Sequence, residues 1–282
     1  MRRTSPLLYF LPILALIVVI VLVPELLAIY ISVSKSNLLI TLAYMGPRWY
    51  VYLLSDSRFA NDMAVSLYWM VTTVVISYFV GLLLALVFGG PGKLDKAVRF
   101  VMLVIWVMMP VATGLAWRFM YSNTGVLDTI FYYLNLPQVD FFVTPFVALN
   151  SVLVALVWRS IPIAMIFLWA GLKSIDSSII EATMLDGASQ LNRLRYVTFP
   201  LLRGATLAVL ILLLLTGAFT VDLPYTLTGG GPYFGTENLA MRIYLSAFAN
   251  INWALSSTLG VIALLFALVV LSPVLRGAFK RA

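Results

Sequence analysis

Of the 282 residues, 62% are hydrophobic and only 10% are charged, against the ~25% charged that a soluble domain usually carries. That excludes a soluble globular chain. The complete absence of Cys and His excludes disulfide frameworks, thiolate nucleophiles, Ser-His-Asp chemistry and the usual zinc sites, so no metal site is expected. A formal charge of +7 signals either nucleic acid or membrane topology, and the distribution of the charges separates the two.

Six apolar stretches approach or exceed the ~20 residues that a bilayer-crossing helix requires. In chain order they run at about Leu7–Ser32, Met63–Phe88, Phe100–Met120, Val143–Leu172, Thr206–Leu223 and Trp253–Leu275. Arg2 and Arg3 ahead of the first stretch give it the outline of a signal peptide. Its length and its lack of a small-residue cleavage site predict a retained span. The outer connections at roughly 34–62, 121–142 and 224–252 are long enough for short helices. With no linker, low-complexity tract or internal repeat, residues 1–282 read as a single all-α transmembrane domain.

The basic residues sort by side. Arg2, Arg3, Lys93, Lys96, Arg99, Lys173, Arg193, Arg195, Arg203, Arg276, Lys280 and Arg281 fall in one set of connections. Lys35, Arg48, Arg58, Arg118 and Arg242 fall in the other, with Asp56, Asp62, Asp128, Asp140 and Glu237. The positive-inside rule then predicts a multi-pass protein of the cytoplasmic membrane with both termini cytoplasmic. The charge is topological, and no nucleic-acid partner is expected.

Between the fourth and fifth spans lies Ser178-Ile-Ile-Glu181-Ala-Thr-Met-Leu-Asp186-Gly187-Ala188-Ser189, ending at Phe199-Pro200. Ser178-x-x-Glu181 has the form of a capping box, so a short helix should start there. Ile179, Ile180, Thr183, Met184 and Gly187 share one face at helical spacing, and Gly187 suits the turn that ends the helix. An interfacial amphipathic helix and a docking helix fit this pattern equally well. Gly89-Gly90-Pro91-Gly92-Lys93 is no P-loop, because the spacing is wrong and Leu94 stands where Ser or Thr is required. Gly229–Gly231 follows no βαβ pattern and reads as a turn.

Arg159 sits midway along the fourth span, where an arginine costs ~2.5–3.5 kcal/mol on insertion scales. It either pairs with an acid or helix-end carbonyls, contacts a substrate in a wet cavity, or gates. A guanidinium forks equally onto sugar hydroxyls or a phosphate. Asp222, at the outer end of the fifth span, is a candidate partner for Arg159 or Arg118. Trp69, Trp106, Trp117 and Tyr68 fit packing better than sugar stacking.

Glu181-Ala182-Thr183, Asp186-Gly187-Ala188 and the following Phe199-Pro200 resemble the EAA motif of permease subunits of binding-protein-dependent ABC importers. Thr183 stands where Ala is usual and Phe199 where Leu is usual. Thr228-Gly229-Gly230-Gly231-Pro232 with Thr236-Glu237, Tyr244-x-x-Ala247-Phe248, Trp158-x-x-x-Pro162, and Trp117-Arg118 with Gly125 are similar to the maltose and glycerol-3-phosphate permease subfamily. Asp128, Trp49 and Ser66 depart from Asn positions of that subfamily.

The resemblance implies a coupling helix at 181–188, with Glu181, Ala182, Asp186, Gly187 and Ala188 meeting a cytoplasmic ATPase. It implies no cofactor and no ATPase site in this chain, with ATP and Mg on partner subunits. The implied partners are a second homologous permease, two ABC ATPases, an extracytoplasmic sugar-binding lipoprotein and the bilayer. Arg159, Ser160, Thr216 and Gly217 match positions lining the sugar cavity, Asp222 is a further cavity candidate that could instead face the binding-protein dock, and Gly229, Gly230, Gly231 and Pro232 would meet the binding protein. The implied function is ATP-driven sugar import by alternating access. A glycerol-3-phosphate, polyol or anion importer of the same family is the alternative. An ion-coupled secondary transporter is the rival from another class.

Overall fold

The computed structural model describes residues 7–37 and 40–279; Arg2, Arg3, Lys280 and Arg281, which enter the topology argument, lie outside them. Helix α1 (Leu7–Ile17) runs through a π-turn at Val18–Leu22 into α2 (Val23–Ser32). A hairpin follows, β1 (Ser34–Asn37) against β2 (Ile40–Tyr44), antiparallel with a register shift between Lys35 and Ser36. This pair is an addition to the all-helical expectation. Next come α3 (Arg48–Ser55), the 31-residue α4 (Ser57–Val87), α5 (Lys93–Val107), α6 (Pro110–Met120), α7 (Val126–Tyr133) and α8 (Pro145–Lys173). Then follow α9 (Ser177–Leu185), α10 (Gln190–Arg193), a π-turn at Leu194–Thr198, α11 (Phe199–Leu201) and α12 (Arg203–Phe219). The chain closes with α13 (Asp222–Thr228), α14 (Leu239–Tyr244), a π-turn at Leu245–Ala249 and α15 (Trp253–Phe279).

Among the described residues, five stretches are long and apolar enough to cross a membrane: Pro12–Ser32, Ser57–Val87, Pro145–Lys173, Arg203–Thr228 and Trp253–Gly277. They overlap five of the six expected spans. The third expectation, Phe100–Met120, is met by a broken pair, α5 and α6, bent by 102°. The break has a local cause. Met108 and Met109 adopt extended ψ values of 131° and 137°, as residues ahead of a proline do, and Pro110 then opens α6 at a first-turn position that needs no amide donor.

Prolines also explain two of the π-turns. Pro24 and Pro200 each stand two residues after a π-turn, and the Val23 and Phe199 amides reach back to Val18 and Leu194. A proline removes an amide and crowds the carbonyl four residues back, and a widened turn relieves both. Pro200 therefore stays within helical geometry instead of breaking the chain. At the start of α8, the Thr144 hydroxyl accepts from the Val147 amide at 3.3 Å and Pro145 takes the first helical position.

The chain divides into two compact units. The first comprises residues 1–59 and 242–266. Within it the Thr258 hydroxyl donates to the Ser32 carbonyl at 3.1 Å, and Ser32 and Tyr50 share a hydroxyl hydrogen bond of 2.8 Å. Arg242 forms a largely buried ion pair with Asp56. Burial works to raise the Asp56 carboxyl, but hydrogen bonds from Arg242 and the Arg58 amide outweigh it and hold the group below its ordinary value.

The second unit, residues 60–241 and 267–282, is organised on α8. One apolar cluster gathers Val65, Trp69, Val152, Leu156, Leu223 and Leu227; the other gathers Leu82, Ala164, Met165, Leu168, Val209 and Leu213. Lipid-embedded helices gain no hydrophobic drive from each other and associate by close packing of small residues. An added Cβ at Gly81 would lie 2.6 Å from the Ala164 Cβ, at Gly171 2.5 Å from the Ala205 Cβ, and at Gly217 2.7 Å from the Met70 Cα. These contacts set α4 on α8, α8 on α12 and α4 on α12.

Candidate functional site

The helix at 177–185 is capped differently from the sequence expectation. Asp176, not Ser178, is the N-cap: its carboxylate accepts from the Ser178 amide at 2.9 Å, so the Ser178–Glu181 capping box does not form. An Asx acceptor ahead of the first turn outcompetes a hydroxyl two residues later. The Ser178 amide and hydroxyl hold the Asp176 carboxyl below the ordinary carboxylate range.

The other end follows expectation. Gly187 takes φ +73°, its amide donates to Met184 O at 3.1 Å, and the Ala188 amide donates to Thr183 O at 3.1 Å. This is a Schellman closure, which satisfies carbonyls that would otherwise be orphaned. Ser189 then caps α10 by accepting from the Asn192 amide.

Most of α9 is uncovered. Glu181, Ala182, Asp186 and Gly187 are exposed and Ala188 is half-buried. Leu185 is 90% exposed, Leu191 72% and Ile179 41%. Of the apolar face read from the sequence, Ile180 and Met184 turn toward a cavity of about 390 Å³ shared with Leu86, Leu172, Ile175 and Leu194. Of the other apolar side chains on α9, Ala182 and Leu185 face outward, and Ile179 is exposed over less than half its surface.

The cavity candidates separate. Arg159 is half-buried at the midpoint of α8, and its Nε has no hydrogen-bond partner. It feels the charge of Asp222 but makes no ion pair with it among the described residues. Arg118 donates to Thr226 O at 3.2 Å. Asp222 itself is exposed in the first turn of α13. Ser160 is buried and spends its hydroxyl on Leu156 O at 2.7 Å; Thr216 does the same on Leu212 O at 2.8 Å. Gly217 serves the close approach to Met70. Trp69 is fully buried with Nε1 donating to Leu149 O, and the Tyr68 hydroxyl donates to Asn150 Oδ1. Both aromatics follow the packing reading.

At the other end of the fifth span, Gly229 caps α13 at φ +62°, with its amide on Tyr225 O. Gly230 continues at φ +92°. Thr236 donates its hydroxyl to Gly231 O at 2.8 Å and its amide to Gly230 O, fixing the Gly229–Pro232 turn. The Asn238 amide donates to Thr220 O at 2.8 Å, and Ser66 accepts from the Leu239 amide at 2.9 Å. Gly231 and Pro232 border a 310 Å³ recess beside Arg118 and Phe142. Sequence reasoning stopped one residue short. Tyr233 and Phe234 both hold left-handed backbone, at φ 50° and 61°, and Tyr233 is 88% exposed. An aromatic pair directly after a glycine-rich turn was the signal available for them.

The Gly89–Lys93 stretch is occupied from within. The Asp95 carboxylate accepts from the Gly92 amide at 3.0 Å, at the helix N-terminus where a P-loop would cradle phosphate.

Residues 77–282 match the family described as the binding-protein-dependent transport system inner membrane component. The chain belongs to that family. It is 30% identical over 288 residues to a probable ABC transporter permease protein of Pyrococcus horikoshii, covering 99% of each chain. It is 29% identical to the trehalose/maltose transport system permease protein MalF of Thermococcus litoralis, covering 97% of this chain and 94% of that one. A crystal structure of a bacterial ABC transporter involved in import of the acidic polysaccharide alginate superposes with a TM-score of 0.79 at 19% identity, over 97% of this chain and 95% of the other. At that identity the likeness is one of fold.

The chain is therefore a multi-pass permease subunit of a binding-protein-dependent ABC importer in the cytoplasmic membrane. It carries no ATPase activity or cofactor of its own, and hydrolysis takes place on partner subunits. The ion-coupled reading falls with that membership.

Proposed function

We propose that this permease imports a sugar, from monosaccharide to oligosaccharide, delivered by an extracytoplasmic binding protein. It pairs with a second homologous permease and two ATPase subunits. Its termini lie in the cytoplasm, and the whole chain acts as one transmembrane domain. The observation that carries the coupling assignment is α9. This short helix has both ends satisfied within the chain, yet Leu185 stands outward and almost wholly exposed, Ile179 is partly exposed, and Leu191 of the following α10 is exposed beside them. Exposed apolar side chains on a rigid, capped element mark a docking surface. In an importer the surface that must be gripped on that side is the one that receives the ATPase stroke.

The mechanism follows as rigid-body transmission. ATP-driven closure of the ATPases displaces Glu181–Ala188 together with the helix ends on either side, Lys173 of α8 and Arg203 of α12. The close contacts at Gly171 and Gly217 pass that motion to α8 and α4. The cavity opens outward while the binding protein sits on Gly229–Pro232 and the Tyr233 tip. Hydrolysis returns the cavity inward with the sugar. Arg159 is the cavity's polar contact, and its unpartnered Nε also suits an anionic cargo such as glycerol 3-phosphate, the second reading.

The deciding measurement is ATPase activity of the reconstituted complex, titrated with its binding protein and maltose, trehalose, glucose or glycerol 3-phosphate. Stimulation by one loaded sugar names the cargo. Stimulation by glycerol 3-phosphate alone overturns the sugar reading in favour of the anionic one.

A further inference from the structure

We propose that the cavity behind α9 is a binding site for the phosphate of an acidic phospholipid. Its walls are Leu86, Leu172, Ile175, Ile180, Met184 and Leu194, and its polar groups are Arg193, Gln190 and Thr198. Leu86 and Leu172 each stand one residue from the ends of α4 and α8. Taken as the points where the two candidate membrane-spanning helices leave the bilayer, these ends put the cavity at headgroup depth.

Inside it, Nε and Nη1 of Arg193 are buried and have no hydrogen-bond partner. A guanidinium cannot discard its charge, so two buried idle donors are costly unless an anion reaches them. Asp176, Glu181 and Asp186 are all nearby in sequence, yet all three are exposed and none pairs with Arg193 among the described residues. Among the described residues no anion of this chain reaches these donors, and we take the anion to come from outside it. A site at the leaflet edge with one buried cation and apolar walls on both sides matches a molecule carrying a phosphate above methylene chains. This site is independent of the cargo, and it rests on Ile180 and Met184 facing the cavity from the same helix whose outer side is assigned to the ATPase.

The test uses the full chain in its assembled complex, in detergent, with phosphatidylglycerol, phosphatidylcholine or inorganic phosphate added. Bound lipid is counted by native mass spectrometry and the unfolding midpoint is followed in parallel. Phosphatidylglycerol should bind and raise the midpoint, and the other two should do so little. Arg193→Gln should weaken phosphatidylglycerol binding about tenfold or more, the loss expected for charge-assisted hydrogen bonds. Met184→Trp, which fills the cavity and keeps the arginine, should weaken it as well; this variant and Arg193→Lys carry the test if Arg193→Gln does not fold.

Arg195→Gln is the control, because Arg195 is exposed and lies over the Tyr196 ring at 5.5 Å. An equal loss in Arg195→Gln would reduce the effect to diffuse surface charge and overturn the site. An equal midpoint shift with inorganic phosphate would assign it to the free anion. If Arg193→Gln kept its lipid but shed the ATPase subunits, the partner of Arg193 would be a protein carboxylate. Either outcome refutes the lipid site.

Discussion

Replacing Gly187 separates two costs that are usually confounded. Its φ of +73° lies in the left-handed region, where a residue with a Cβ is penalised by about 1–2 kcal/mol. A Cβ built there meets no atom of this chain within 4 Å. The backbone cost is therefore common to Gly187→Ala and Gly187→Leu, roughly a 5- to 30-fold shift in the local equilibrium that keeps the turn closed. Gly187→Asn should cost less, because Asn tolerates the left-handed region. With open space around the Cβ, a much larger loss of transport for Leu than for Ala, at equal stability of the free chain, points to a surface outside the chain. In proteoliposomes with the ATPases and a loaded binding protein, Gly187→Ala should lower transport modestly. Gly187→Leu should lose nearly all transport while the complex still assembles and hydrolyses ATP. Equal transport by the Ala and Leu variants would refute close packing of a partner at this position, and with it the coupling role of the turn.

Gly217→Leu should lower the unfolding midpoint of the purified chain, because its Cβ alone lies 2.7 Å from the Met70 Cα and overpacking of this kind costs about 1–3 kcal/mol; an unchanged midpoint would mean α4 and α12 do not touch there. The Asp56–Arg242 pair is mostly buried, so Arg242→Met should destabilise by about 3–5 kcal/mol. Because the folded Asp56 carboxyl lies below its ordinary value of 3.8, its contribution is complete above that value and disappears as pH falls below it. Acid unfolding of Asp56→Asn should lack this component, and an acid profile identical to wild type would refute the pairing. Arg159→Met removes an intramembrane charge; if Arg159 contacts cargo, the variant should keep its midpoint and lose cargo-stimulated hydrolysis. A fall in midpoint that Asp222→Asn restores would instead make the pair structural. Tyr233→Ala should weaken binding-protein docking tenfold or more without changing basal hydrolysis, as for an exposed aromatic anchor; unchanged docking would remove the tip from that interface.

The spans were legible because lipid demands long apolar helices, and composition reports that demand directly. Phe100–Met120 is the instructive exception. Its hydropathy is continuous, but Pro110 turns the chain through 102°, and a window average is blind to one missing amide. The same blindness hid the two proline-linked π-turns, which leave apolarity unchanged. At α9 the motif located the helix, and the local chemistry of its ends was half-read. Gly187 was legible because only one residue type favours φ +73°, whereas the N-cap was misassigned because Asp176 and Ser178 are both competent acceptors and only geometry chooses between them. Ser160 and Thr216 look like cavity residues by type. In the structure both hydroxyls bond the carbonyl four residues back in their own helix, a use of Ser and Thr that leaves no mark in sequence. Tyr233 and Phe234 follow a glycine-rich turn, but a left-handed backbone is rare enough for aromatics that residue type alone does not announce it.

The two surfaces assigned to partners share one construction. Each ends a short helix with a left-handed glycine, Gly187 after α9 and Gly229 after α13, and each returns its capping amides to the helix's own carbonyls. Each then adds a hydroxyl that ties down the following turn, Ser189 in one case and Thr236 in the other. A subunit whose helix ends are closed within its own chain does not rely on a partner to satisfy them, and an uncovered end does not expose unbonded carbonyls and fray. Closing those bonds within the chain keeps the exposed Leu185 and Tyr233 on fixed supports whether or not a partner is present. A displacement applied at either surface then moves the helix behind it instead of being absorbed by melting of the contact. Disrupting either glycine should therefore weaken transmission before it weakens the fold.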